Sequence, residues 1–264
     1  MGWESDSNSG FELTARSNLE AEIDEKLRQE WLELIPILGP RAWQWDQLVL
    51  LKRQVLSRIL HFNNIYQEIL EKPGEIFEFG VQWGAGISTL LNLRSIYEPF
   101  NHSRKIVGFD TFNGFPSLQK KDEFRNSVGE RELPKLGSYS VETNYQEKLE
   151  RFLSLHEQNA PISHKKKFEL VKGDASSTFP KWLSENPSSI CAMAIFDMDI
   201  YKPTKDVLEN LIPRLTRGSL LVFDELGSPN FPGETIALME VLGLNKFELH
   251  SNPNQPYVSW FKFE

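Results

Sequence analysis

Five short apolar runs, each with a glycine or an acid at or next to its end, constrain this chain more than any other feature. They are EIFEFGV (75–81), KIVGFD (105–110), KFELVKGD (167–174), SICAMAIFDMD (189–199) and GSLLVFDEL (218–226). Between most of them lie helix-like stretches, at 85–97, 141–156, 176–185 and 202–215. Strand and helix in alternation predict an α/β fold built on a mostly parallel, Rossmann-like sheet with helices on both faces. The end of the chain departs from that rhythm. A helix near 234–242 is followed by FELHSN (247–252) and YVSWFKF (257–263) with no helix between them. These two runs predict an antiparallel hairpin on the sheet edge and bring the strand count to seven.

The first third has a different texture. From Asn18 to Leu38, the residues Leu19, Ile23, Leu27, Trp31 and Leu34 fall on one stripe at helical spacing, ended by Pro36 and the Gly39-Pro40 pair. A second amphipathic stretch, Trp45 to Glu71, carries Leu48, Leu51, Val55, Ile59 and Ile65 and closes at Pro73-Gly74. Such stripes pack into a core or against another subunit. The expected organisation is therefore a helical N-terminal extension over 1–73, serving as lid or assembly element, and a catalytic domain over 74–264. A length of 264 residues suits one large domain with an appendage. Residues 117–140, charged and long for a connection, read as a mobile loop beside the active site.

Composition removes several function classes. The net charge of −8 argues against nucleic acid as the partner. One cysteine, Cys191, excludes an internal disulfide and a thiolate-rich zinc site, and five scattered histidines leave any metal to carboxylates. No apolar run reaches the roughly 18 residues needed to span a bilayer. The opening MGWESDSNSG does not resemble a secretory signal, and Asp6 stands where myristoylation wants Ser or Thr. A cytoplasmic protein without a membrane partner is expected.

Ligands of open parallel sheets bind beyond the carboxyl ends of the strands, where these acids fall. The first run continues into a turn with GxxxGxG spacing, Gly80, Gly84 and Gly86, which opens a helix and lets the backbone approach a ligand. It is not the GxGxxG dinucleotide fingerprint. Glu78 would lie near a cationic or hydroxylated part of such a ligand. Asp110 can accept both hydroxyls of a ribose, or can cap a turn. Asp174 can accept from an adenine amino group, or can cap the helix begun by Ser-Ser-Thr. Together the three describe an adenosine pocket. Asp197 and Asp199, then Asp224 and Glu225, would meet at neighbouring strand ends, and four carboxylates there call for a hard divalent cation such as Mg2+. The competing reading pairs them with Lys202, Lys205 or Arg214.

These segments resemble a known family, the S-adenosylmethionine- and Mg2+-dependent sugar O-methyltransferases of macrocin O-methyltransferase type. The resemblance runs from about Glu75 to Trp260 and is carried by EFGVQWGAGIST, IVGFDTFNGFP, LVKGDASST, ENPSSICAMAIFDMDIYKPTKDVLE and GSLLVFDELGSPNFPGE. The last two are the specific ones. It implies a class I methyltransferase fold and a sugar acceptor. Within the family, the likeness is to the TDP-rhamnose 3-O-methyltransferase type, which implies the 3-hydroxyl of a nucleotide-linked 6-deoxyhexose. By the same resemblance, Glu78, Gly80, Gly84 and Ser88 would contact the methionine part of the cofactor. Asp110 would hold the ribose, and Asp174 with Ala175 the adenine end. Asp197, Asp224 and Glu225 would bind the metal, and Asp199 would be the general base. Glu225 stands where some relatives have a second Asp. A homo-oligomer is expected from the N-terminal stripes.

Two other classes compete. An NAD-dependent nucleotide-sugar oxidoreductase or epimerase would use Tyr201 and Lys205, spaced i, i+4, as its acid–base pair, but the glycine spacing is wrong for it. A non-catalytic adenosine-ligand scaffold would tolerate broken carboxylates, and all four are present.

Overall fold

The computed structural model describes residues 18–123 and 135–264. The chain divides into two compact units, Met1–Ser57 and Arg58–Glu264. In the first unit, α1 (Asn18–Leu38) stops where the Gly-Pro pair begins, and 3-10 helices follow at Gly39–Trp43 and Trp45–Leu50. The amphipathic stretch from Trp45 to Glu71 is not one helix: Leu51 is extended, and α2 (Arg53–Gln67) starts afresh after it. The stripe hid the break because Leu48 and Leu51 are three apart, a spacing shared by the 3-10 and α-helical periods. Within this unit Leu19, Ile23, Leu27 and Trp31 are all exposed, as are Trp43 and Trp45.

The second unit, which holds α2 from Arg58 onward, is the α/β body. Its strands are β1 (Glu75–Phe79), β2 (Ile106–Asp110), β3 (Phe168–Lys172), β4 (Cys191–Phe196), β5 (Leu215–Phe223), β6 (His250–Asn252) and β7 (Gln255–Lys262). They form one seven-stranded sheet in the order β3-β2-β1-β4-β5-β7-β6. The first five run parallel, and β7 pairs antiparallel with both β5 and β6. This is the Rossmann-like sheet with an antiparallel edge hairpin that the sequence predicts. The remaining helices are α3 (Ala85–Tyr97), α4 (Tyr145–Gln158), α5 (Ala175–Glu185), α6 (Tyr201–Leu211) and α7 (Pro232–Val241). The expected helix at 141–156 begins only at Tyr145, after Asn144 in a left-handed conformation.

Alternation along the strands splits the core in two. Phe77, Phe79, Phe109, Phe196, Phe223 and Phe261 face α5, α6 and α7 and pack with Phe179 and Trp182. Ile76, Ile195, Leu220 and Val222 face the other way, against Phe62, Ile65 and Tyr66 of α2 and against α3 and α4. Each fully buried ring of this kind contributes on the order of 2–3 kcal/mol. Register then sets the functional edge: Phe79 pairs with Phe109 and with Phe196, and Phe196 with Phe223. The next residues on these strands are Gly80, Asp110, Asp197 and Asp224. Of the segment expected to be a mobile loop, 124–134 lies outside the described residues. The part before it is held down, since Asp122 Oδ1 accepts the Tyr201 N–H at 2.6 Å.

Candidate active site

Glu78 alternates with Phe77 and Phe79, so it points to the same side of β1 as Ile76, toward α2 and α3. It is 3% exposed, and its Oε2 has no hydrogen-bond partner. Burial, and then the charge of Asp197, pushes its carboxyl well above the usual range. The turn that follows leaves no room for a side chain at its glycines. A Cβ on Gly80, whose φ is +97°, would come within 1.8 Å of the Asp197 carbonyl oxygen, and one on Gly86 within 1.8 Å of Glu78 Oε1. Gly84 is the N-cap of α3, and Ser88 lies one turn into that helix. A buried, half-satisfied carboxylate under a glycine turn fits a cationic ligand group, as an S-adenosylmethionine ammonium would supply.

Asp110 shapes this turn. Its Oδ2 accepts the N–H groups of Val81 and Gln82, each at 2.7 Å, and its Oδ1 accepts the Phe112 N–H at 2.5 Å. A carboxylate has about four acceptor positions, and these three amides make Asp110 a turn cap as well as a candidate ribose contact. Asp174 is likewise the N-cap of α5, its side chain accepting the Ser176 N–H at 2.9 Å, with Ala175 buried behind it.

At the next two strand ends, Asp197 and Asp224 continue the face of Ile195 and Val222. Arg58 of α2 meets both, with Nη2 3.2 Å from Asp197 Oδ2 and Nη1 3.7 Å from Asp224 Oδ1. Lys202, Lys205 and Arg214 do not pair with these acids: they bind Asp206, Glu240 and the Pro187 carbonyl. Burial, with the Asp224 charge next, pushes the carboxyls of Asp197 and Glu225 up to about 7. Among the described residues, no three acid, His or Cys side chains converge as they stand on one point suited to a metal ion. The donor set still suits a hard cation: oxygen ligands at adjacent strand ends with more negative charge than Arg58 offsets.

Asp199 differs from the sequence picture. Extended geometry would have put it on the same side as Asp197, but its φ is +63°. The backbone turns there, with the Ile200 N–H donating to the Met198 carbonyl at 2.7 Å. The turn takes Asp199 off the extended path of the strand, yet its carboxyl still lies within reach of the Asp197 charge. Burial, then Asp197 and Glu234, pushes the Asp199 carboxyl well above its usual range. Tyr201 and Lys205, the acid–base pair of the oxidoreductase alternative, are committed elsewhere: the Tyr201 hydroxyl donates to Glu240 Oε2 at 2.6 Å.

Arg58 and Glu234 were not legible as site residues. Arg58 sits in a stretch read only for its apolar stripe. Glu234 lies in the quoted NFPGE segment, where nothing local marks it.

A model of the macrocin O-methyltransferase family, TylF, matches residues 55–233. Among solved structures, the crystal structure of the calicheamicin methyltransferase CalS11 superimposes with a TM-score of 0.86 at 37% identity, covering 98% of this chain and 99% of that one. The apo structure of CalS11, described as a TDP-rhamnose 3'-O-methyltransferase of calicheamicin biosynthesis, gives 0.79 at 33% identity, covering 97% and 99%. The O-methyltransferase NovP shares the fold at a TM-score of 0.56 and 16% identity, covering 78% of this chain and 79% of that one. A curated relative from Streptomyces olivaceus, 8-demethyl-8-(2,3-dimethoxy-alpha-L-rhamnosyl)-tetracenomycin-C 4'-O-methyltransferase, is 26% identical over 165 residues, 58% of this chain. The match spans about half of that relative, 53% of its length. With the family model covering most of the sheet and its site, the chain belongs to the macrocin O-methyltransferase family of methyltransferases.

Proposed function

We propose that this protein transfers the methyl group of S-adenosylmethionine to a sugar hydroxyl with the help of Mg2+, the acceptor being the 3-hydroxyl of a TDP-linked 6-deoxyhexose. The observation that carries this is the aligned strand edge, where the unpartnered Glu78 oxygen and the Asp197 and Asp224 carboxylates share one face of the sheet. The CalS11 likeness over nearly the whole chain supports the choice of acceptor.

When bound, S-adenosylmethionine supplies a methyl on cationic sulfur, and Mg2+ supplies the Lewis acidity that eases loss of a hydroxyl proton. Glu78 binds the ammonium of the donor. Asp110 accepts from the ribose, and Asp174 with Ala175 borders the adenine. Gly80, Gly84 and Ser88 line the methionine part. Asp197, Asp224 and Glu225 hold the metal. Asp199, at the end of β4, takes the proton that the acceptor hydroxyl loses as the methyl moves to its oxygen.

The test is a methyl-transfer assay across a panel of nucleotide-linked deoxysugars with mass detection, with and without chelator, alongside calorimetry of the demethylated donor against NAD. Mono-methylated TDP-6-deoxyhexose, lost on chelation and restored by Mg2+, is expected. NAD binding without donor binding would replace this reading with the oxidoreductase.

A further inference from the structure

Glu234 has no place in the chemistry above, yet it is 0% exposed. Carboxylates are almost never fully buried without a partner. Its partners are backbone amides: Oε1 accepts the N–H groups of Met198 and Asp199, each at 3.1 Å, and Oε2 lies 3.4 Å from the Glu225 nitrogen. Two consecutive N–H groups converging on one oxygen form an anion-binding nest in the backbone.

The peptide held in this way is the unusual one. Asp199, at φ +63°, is the central residue of a turn closed from the Ile200 N–H to the Met198 carbonyl, the rarer γ-turn of positive φ. Strained backbone of this kind persists only when its surroundings enforce it. The enforcement comes from α7. At Gly233, immediately before Glu234, an added Cβ would lie 2.4 Å from the Tyr201 nitrogen and 2.5 Å from Asp122 Oδ1, so the first turn of α7 is pressed against the start of α6.

We propose that Glu234 is a positioning residue for methyl transfer. It clamps the Met198–Asp199 peptide and so aims the Asp199 carboxylate at the acceptor hydroxyl. This rests on the assignment of Asp199 as the base. A static clamp is needed because misplacing a catalytic group by about 1 Å can cost on the order of 10²-fold in rate.

The experiment is a double-variant cycle on the full-length protein, using an acceptor that the wild type methylates. Glu234→Ala, Glu234→Gln, Glu234→Asp, Asp199→Asn and the Asp199→Asn/Glu234→Ala pair are compared for kcat, both KM values and affinity for the demethylated donor. Expected is a fall of about 10²-fold in kcat for Glu234→Ala, with donor affinity unchanged. Glu234→Gln, whose carbonyl oxygen accepts the same two N–H groups, should recover most of the rate. In the Asp199→Asn background the alanine change should cost little more. Should Glu234→Ala fail to fold, Glu234→Asp carries the cycle, since its carboxylate is one methylene too short to reach both amides. Wild-type kcat in folded Glu234→Ala or Glu234→Asp, or an equal loss with and without Asp199, overturns the clamp. Full activity of Asp199→Asn overturns the base assignment instead.

Discussion

The Arg58 guanidinium spans two neighbouring strand ends, reaching Asp197 Oδ2 at 3.2 Å and Asp224 Oδ1 at 3.7 Å. Among the described residues it is the cation that pairs with the carboxylates proposed to hold a metal. Arg58 enters from α2, and its guanidinium carbon lies over the Phe62 ring, 5.6 Å from the centroid. The ion pairs are half-exposed, so their worth is modest, about 1 kcal/mol at most.

Arg58→Ala removes that charge and leaves Asp197 and Asp224 facing one another. Its melting temperature without divalent metal should fall by about 2–4 °C, the usual consequence of about 1 kcal/mol in a domain of this size. Added Mg2+ should restore more stability to the variant than to the wild type, because a bound cation replaces the missing one. Thermal melts with and without Mg2+ decide this. Equal Mg2+ responses in the two proteins would remove Arg58 from the metal site's electrostatics.

Asp197 and Asp199 are to be separated by metal titration at saturating donor. Asp199→Asn should keep Mg2+ affinity and lose about 10²–10⁴-fold in kcat, the usual worth of a general base. Asp197→Asn should instead need more Mg2+ for half-maximal rate. If excess Mg2+ rescues Asp199→Asn and not Asp197→Asn, the two roles are exchanged.

His61, 3% exposed with Nδ1 unpartnered, lines a small cavity with Arg58, Phe62, Asp224 and Gln255. Burial, and then the Arg58 charge, lowers its pKa to about 4. Between about pH 4 and the ordinary value of 6.5 the unfolded chain therefore binds a proton that the folded protein refuses. Stability rises with pH through that window and is lost as pH falls through it, by up to about 1.4 kcal/mol per pH unit. Denaturant unfolding at several pH values should show a shallower dependence in His61→Gln than in the wild type. An unchanged slope would mean that His61 titrates alike in both states.

The N-terminal unit presents Leu19 at 66%, Ile23 at 53% and Leu27 at 49% exposure along one side of α1. We propose that this exposed apolar stripe is an association face. Light scattering of the full-length protein at micromolar concentration should give a multiple of 30.5 kDa, and Ile23→Glu/Leu27→Glu should lower that mass. A monomeric wild type would end the expectation of a homo-oligomer.

The sequence by itself determined the five parallel strands, the closing hairpin and the row of acids at one edge. Strand alternation and helical spacing are local properties of the chain, and they report which face a residue takes. They could place Asp110, Asp197 and Asp224 at strand ends, but not say what each would meet. Only the tertiary structure decided that Asp110 caps its turn through the Val81, Gln82 and Phe112 amides. It also decided that Arg58, from a helix read only for packing, pairs with Asp197, and that Glu234 seizes the Met198 and Asp199 amides. Extended geometry also failed at Asp199. Aspartate tolerates positive φ better than most residues, but that propensity is too weak to mark Asp199 in the sequence against the extended geometry its neighbours suggest.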